Sequence, residues 1–487
     1  MASYKHGAYG EVGATRAQSA IQAGTVACYV GTAPIHLVRG YADKGLVNTP
    51  IKLSEWKQAL SAIGYHADWE KFTLCEAVKV HFDNPLGNVG DIYVINVFDP
   101  ALEATENQTL SVTFTNGRAE VITADAILDT VTIADAVEGT DFKVDYDYTA
   151  GKMILTALTE KVSGTVSISY SKATLPTVAT HTEKVIGGVT AEGEYSGIAA
   201  IELLYNNYNV VANYLLAPGF SHQPAVYNAL VTASKNRNGH WFSYVFVDIP
   251  IDSNTTIESA ITWKTTNGYT SEYATPCWPK GIDNEGKTYH ISTLSAWRQM
   301  SIDSTHNGIP FETASNKAVP VIKQYFGASS KNAGFDKERG NALNANGIRT
   351  IAPHNGEIVL WGGHTGAYAH GVTSDAAKIF DTNIFMRNHI LNRFQIIWST
   401  RVDEPMTLQL KDEILNSEQN YLNSLVAIGA LIGEPTITFS AADNSTVDMM
   451  NGDFDFDFGH TPTPQAKSVT GTVSYTDEGF SVYTQAE

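Results

Sequence analysis

One stretch carries the spacing of a phosphate-binding loop. Gly281-Ile-Asp-Asn-Glu-Gly286-Lys287-Thr288 matches G-x-x-x-x-G-K-T, in which backbone amides cradle phosphates and the lysine reaches the terminal ones. Its context opposes that chemistry. Asp283 and Glu285 put two negative charges where amides must hold phosphate. Asn284-Glu-Gly286 reads as a hairpin turn, and Thr288-Tyr-His-Ile-Ser292 reads as a strand where a helix N-terminus is required. Asp248, the one carboxylate placed to follow an apolar strand, precedes the motif instead of following it. A P-loop-type nucleotide-dependent enzyme using 281–288 is the alternative reading, not the leading one.

Other candidate chemistry fails on spacing. Asp453, Asp455 and Asp457 have the alternation of a calcium loop, but the sixth and twelfth positions are Phe458 and Pro464 where glycine and a carboxylate are needed. The intervening phenylalanines fit a strand with one apolar and one acidic face. His354, His364 and His370 lack ligand spacing, and no G-x-S-x-G elbow is present. Cys28, Cys75 and Cys277 are too few and scattered for a disulfide framework or a metal knuckle. No metal, cofactor or catalytic residue is assigned. Arg387 and Arg393 lie off the apolar stripe of their helix, as a solvated face or a cationic patch for an acidic partner.

These residues sit on elements of three kinds. Apolar runs at 25–30, 91–97, 213–217, 243–248 and 272–277 alternate with helices at 54–63, 72–82, 191–208, 222–237 and from 255. That alternation predicts a largely parallel sheet, with Ser54 capping the first helix. Between 101 and 182 the period changes to two, with hairpin turns at Asn116-Gly117 and Ala150-Gly151. This predicts an inserted, acidic all-β domain. Residues 281–375 read as hairpins and loops. Asp381 is the expected N-cap of a helix carrying Ile384, Leu391, Phe394 and Trp398 on one face. A second helix follows Pro405, with Leu408, Leu415 and Leu422 at heptad spacing, and ends at Gly433 and Pro435.

Composition bounds the function. The 487 residues exceed one core, and 43% hydrophobic content argues against disorder. A net charge of −19 disfavours general affinity for nucleic acid or anionic membrane. No apolar run reaches the roughly 20 residues that span a bilayer. The N-terminus lacks a signal-peptide apolar core, so a cytosolic origin is expected.

Several segments, in order, resemble the tail sheath proteins of contractile phage tails, R-type bacteriocins and related injection systems. They are Tyr4-Lys-His-Gly7 with Ala27-Cys-Tyr-Val-Gly-Thr-Ala-Pro34, and Ala217-Pro-Gly-Phe220 with Val247-Asp-Ile-Pro250. Leu343-Asn-Ala-Asn-Gly-Ile348 and Val359-Leu-Trp-Gly-Gly-His-Thr365 follow, with His364 where the family has arginine. Asn388-His-Ile-Leu-Asn-Arg393, Gly429-Ala-Leu-Ile-Gly433 and Thr461-Pro-Thr-Pro464 complete the set.

The resemblance implies an α/β multi-domain chain with strand-exchanging terminal arms. Its parts are an arm at 1–20, an α/β core at 21–100 and 183–375, and the β insertion at 101–182 on the outer surface. A C-terminal α+β domain at 376–464 and an arm at 465–487 follow. Function is expected to be structural: stacked hexameric rings around a tail tube that contract to drive the tube through the envelope. The implied partners are other copies of the chain, the tube protein, and baseplate and terminator proteins, without direct nucleic-acid binding or membrane insertion. The implied location is the virion tail or an extracellular contractile particle, assembled in the host cytoplasm. Tyr4, His6, Val469, Val473, Tyr475, Phe454, Phe456 and Phe458 are the expected subunit contacts, and Arg387 and Arg393 the expected tube contacts.

Overall fold

The computed structural model describes residues 21–237, 239–327 and 335–484. The expected N-terminal arm, with Tyr4 and His6, lies outside them. The chain opens with β1 (Ile21–Gly31), β2 (Pro50–Leu53), α1 (Trp56–Ile63), α2 (Leu74–Phe82) and β3 (Val89–Asn96). Ser54 does not cap α1: Glu55 holds that position, and the Gln58 side-chain oxygen takes the Ser54 N–H at 2.7 Å.

The period-two region folds as β4 (Ala104–Phe114), β5 (Arg118–Ile122), β6 (Thr132–Ile133), β7 (Phe142–Asp147), β8 (Lys152–Ala157) and β9 (Gly164–Ala173). They pair antiparallel as two three-stranded sheets, β4-β9-β6 and β5-β8-β7, around one apolar core. Asn116 and Gly117 turn β4 into β5 at φ of 53° and 77°, as consecutive left-handed residues of a tight hairpin do. The sheets grip the chain before them. The Tyr148 hydroxyl donates to the Leu37 carbonyl at 2.8 Å, Arg39 pairs with Glu138 at 2.5 Å, and Leu37 completes the apolar core.

Next come α3 (Val178–Ile186), β10 (Gly188–Val189), β11 (Tyr195–Ser196), α4 (Leu203–Tyr208), β12 (Tyr214–Leu216), α5 (Pro224–Ala233), β13 (Tyr244–Asp248), α6 (Ile257–Thr266) and β14 (Ala274–Cys277). The helix expected over 191–208 is a hairpin and a 3-10 turn before it becomes α4. The central sheet runs β14-β13-β12-β1-β3-β2, parallel except for β2 at its edge. Its apolar runs are buried on both faces, as a parallel sheet covered by helices requires. The five parallel strands follow the doubly wound order 2-1-3-4-5.

The reading of 281–375 as hairpins and loops is corrected. β15 (Lys280–Ile282) and β16 (Thr288–His290) are a hairpin, but α7 (Ile291–Thr305) is a 15-residue helix across the sheet. Its Ser292, Thr293, Ser295, Gln299 and Asp303 are as buried as Leu294 and Trp297, and only a narrow edge at Arg298, Ser301, Ser304 and Thr305 is partly open, so polar residues are spread over both sides and the apolar period is lost. Asp303 accepts from Thr25 at 2.7 Å and Tyr214 at 2.6 Å, tying α7 to β1 and β12. Burial pushes its carboxyl up to about 6. β17 (Lys323–Tyr325), α8 (Lys337–Asn344), β18 (Thr350–His354) and β19 (Glu357–Trp361) complete this region. Among the described residues, no helix is long and apolar enough to cross a membrane.

Candidate subunit interface

The phosphate-loop pattern is a closed hairpin. Gly281 faces Tyr289 across β15 and β16, and the Asp283 carboxylate accepts the amides of Glu285 and Lys287, both at 2.9 Å. Amides that would hold phosphate are thus given to an internal carboxylate. Lys287 turns away, donating to the Ala67 carbonyl at 2.5 Å and lying over the Trp69 ring. The crevice where doubly wound sheets hold ligands, between the ends of β1 and β12, is filled as well. Thr73 occupies it. A Cβ on Gly31 would lie 2.3 Å from the Thr73 hydroxyl, and one on Gly219 would lie 2.8 Å from its methyl. These glycines make room for a threonine. Among the described residues no group of three or more His, Cys, Asp and Glu could hold a metal ion.

The C-terminal region contains the unfilled valences. It comprises α9 (Asp381–Trp398), α10 (Leu408–Ala427), β20 (Thr436–Thr438), α11 (Thr446–Asn451) and β21 (Asp457–Gly459). Phe380, not Asp381, is the N-cap of α9; Asp381 is fully buried against Arg349. On α10 the buried seam is Leu410, Ile414, Leu422 and Leu425, while Leu408 stands exposed, so the heptad register beginning at Leu408 is corrected. Position 418 of that seam is Glu418, wholly buried.

Glu418 explains Arg393. Arg393 pairs with it at 2.5 Å and lies 3.5 Å from the centre of the Tyr421 ring. Trp398 Nε1 donates to the same carboxylate at 2.8 Å. Burial pushes His389 down to about 4, and this neutral imidazole shares a 2.6 Å hydrogen bond with the Tyr421 hydroxyl. Arg387 lies over Tyr273 and is drawn toward Glu272. Both guanidiniums are engaged by their own chain and remain partly exposed.

The acidic alternation forms a strand only at its end. β21 pairs antiparallel with β20, Ile437 opposite Phe458. Phe454, Phe456 and Phe458 are half-buried; Phe456 and Phe458 pack near Phe394 of α9, and Asp453, Asp455 and Asp457 face solvent. α11 lies between β20 and β21 in the chain, and each of the two strands is three residues long. The outer edge of β20 is occupied by Gln419 of α10, which accepts the Ile437 N–H at 3.3 Å and donates to the Pro435 carbonyl at 2.8 Å. The alternation of an antiparallel ladder then turns the Phe458 N–H and C=O outward, away from β20. Sequence reasoning missed Gln419. Nothing about a glutamine on a helix marks it until β20 is set beside it.

From Ser468 to Thr476 the chain makes no strand of its own, and Glu478–Tyr483 is a short 3-10 helix. Val469, Val473 and Tyr475 are 88%, 99% and 84% exposed. They alternate with Ser468, Thr470, Thr472 and Ser474, giving an apolar and a hydroxyl stripe of β-forming residues without a sheet.

No protein-family model matches the chain. The tail sheath protein of Burkholderia phage BcepMu is 26% identical over 489 residues, covering 93% of this chain and 96% of the phage protein. Two cryo-EM structures share the fold at 13% identity. One is the six-fold symmetrised baseplate of the anti-feeding prophage, with TM-score 0.58 over 98% of this chain and 100% of that one. The other is the contracted sheath complex of PVC, an extracellular contractile injection system, with TM-score 0.57 over 98% and 99%. This chain is thus similar, over almost its whole length, to a phage tail sheath protein, and it shares its fold with a contractile sheath.

Proposed function

We propose that this chain is the structural, non-catalytic subunit of a contractile sheath, stacking as hexameric rings around a tail tube. Its C-terminal arm, 465–487, leaves its own subunit and adds a strand to a neighbour. The observation that carries this is a matched pair of unfilled partners. Val469, Val473 and Tyr475 form a strand-like stripe exposed to solvent, and β21 has an outward edge while Gln419 closes the edge of β20. Such edges are what added strands bind. Beside β21, the arm's apolar stripe continues Phe456 and Phe458 and its hydroxyl stripe continues the aspartates. Each backbone hydrogen bond gained contributes about 1 kcal/mol net.

In this reading the division into arm, core, insertion and C-terminal domain holds, with the insertion outermost and α9 and α10 toward the tube. The side chains offered to the tube are then the exposed Ile396, Ile397, Val402 and Leu408 in place of the arginines. Baseplate and terminator proteins cap the polymer, which is assembled in the host cytoplasm. The arm at 1–20, with Tyr4 and His6, is the second connector.

The test uses Val473→Asp and a chain ending at Ser468. Val473 touches nothing in the subunit, so the monomer's unfolding free energy should move by less than about 0.5 kcal/mol. Sheath tubes seen by negative-stain microscopy should be lost in both. Tubes of normal length from either variant would refute strand donation. A cut after Phe458 is uninformative, because it also removes Gly459 from β21 and the Thr461 carbonyl that accepts from Ile432.

A further inference from the structure

The arm's departure point is built, not frayed. Pro462 bridges to Leu431, and the Thr463 N–H donates to the Ala430 carbonyl at 3.1 Å. Two residues on, the Gln465 side chain turns into the core. Its Nε2 donates to Asp381 Oδ1 at 3.0 Å and to the Thr382 hydroxyl at 2.8 Å. Asp381 is the carboxylate paired with Arg349, and both side chains are fully buried. The seat for Gln465 is cut from the other side by Gly363, where an added Cβ would lie 2.3 Å from the Gln465 Oε1. From Ala466 to Thr484 every residue is exposed.

We infer that Gln465 is the anchor that fixes where and in which direction the C-terminal arm leaves the subunit, by plugging the arm's root into the buried Arg349–Asp381 pair. This rests on the proposed role of the arm as a strand donor. It adds a load path. Tension on a donated strand arrives at Gln465 and passes to Asp381, in the first turn of α9. Four residues on, Phe385 packs edge-on against Tyr214 and Tyr244 of the central sheet. A pull between neighbours is thus delivered to the rigid core at one point instead of peeling β21 from β20. Arg349 completes the link, with its Nε donating to the Gly362 carbonyl at 2.7 Å beside the seat. Gln465 is a positioning residue: it holds the arm, and the arm makes the contact.

The test is hydrogen exchange on the full-length, unassembled subunit, followed at the hydrogen-bonded amides of Thr463 and Lys467. Gln465→Ala removes the plug, and Gly363→Ala fills its seat from the core side, where the nearest atom outside Gln465 is the Thr313 hydroxyl at 3.0 Å. Both variants should exchange there at least tenfold faster than the parent, and the double variant should be no faster than either single one. Val473→Asp, far along the arm, should leave those amides unchanged. Both root variants should also form shorter, irregular sheaths. Unchanged exchange in Gln465→Ala would overturn the anchor. Faster exchange with sheaths of normal length would overturn its part in assembly. Neither result touches strand donation itself, which stands or falls with Val473→Asp.

Discussion

Glu418 is the residue on which the C-terminal helix pair turns. It occupies a core position of α10, fully buried, and is neutralised by Arg393 while Trp398 donates to its other oxygen. Breaking a buried pair by removing one partner is costly because the remaining charge is stranded. Arg393→Ala should therefore destabilise the subunit by about 3 kcal/mol, a value at the low end because water can reach the partly exposed arginine's place. Glu418→Gln should cost less, about 1.5 kcal/mol, since the amide's single oxygen keeps one of the two donors while its NH2 group faces the other, and the partly exposed Arg393 can be hydrated. Chemical unfolding of both variants checks this; equal losses would mean that packing, not charge, dominates the site. The sequence shows Arg393 off the apolar stripe and cannot show more, because its partner is 25 positions away on another helix. Gln419 and Gln465 were hidden for the same reason. Each acquires meaning only from a backbone set against it by the fold.

At the scale of elements, period decided what could be read. β1, β3, β12 and β13 are short apolar runs between turn residues, and β4, β8 and β9 alternate cleanly, so their existence is legible. α7 is not, because burial on most sides erases the amphipathic signal and its serines and threonines look like loop residues. Excision of the whole span 101–182 would remove more than the insertion, and its contacts argue for a narrower cut. That excision would take away the first half of α3 and the Glu103 carboxylate that binds Lys184 and His181. The Thr174 N–H donates to the Glu103 carbonyl at 2.7 Å, so the two ends of the insertion are already neighbours. Replacing 104–173 by a short Gly-Ser turn should preserve the central sheet. It should lower the thermal midpoint by several degrees, because Leu37 loses its apolar surroundings and Arg39 its Glu138. Sheath formation should survive if the insertion faces outward. Loss of tubes from a variant that still unfolds cooperatively would place the insertion in a subunit contact.

At the scale of the whole molecule, the balance of charge sets the conditions for assembly. Each subunit carries a formal −19, and a sheath packs many of them side by side, so neighbours repel at long range. The contacts proposed to hold them are of a different kind. Val469, Val473 and Tyr475 are uncharged, the stripe beside them is hydroxylic, and strand pairing is made by backbone hydrogen bonds. Salt screens the repulsion, with a Debye length of about 10 Å at 0.1 M and about 3 Å at 1 M, while leaving short-range apolar and backbone contacts in place. Polymerisation followed by light scattering should therefore speed up and go further as sodium chloride rises from about 0.02 to about 0.5 M. Asp457 of β21, with Asp453 and Asp455 just before it, gives this effect a local focus, because an incoming arm settles beside them. Replacing all three by asparagine should reproduce at low salt much of what high salt does to the parent chain. Polymerisation that instead weakens steadily with salt would mean that opposite charges on neighbouring subunits supply the attraction, and the uncharged arm would no longer account for it.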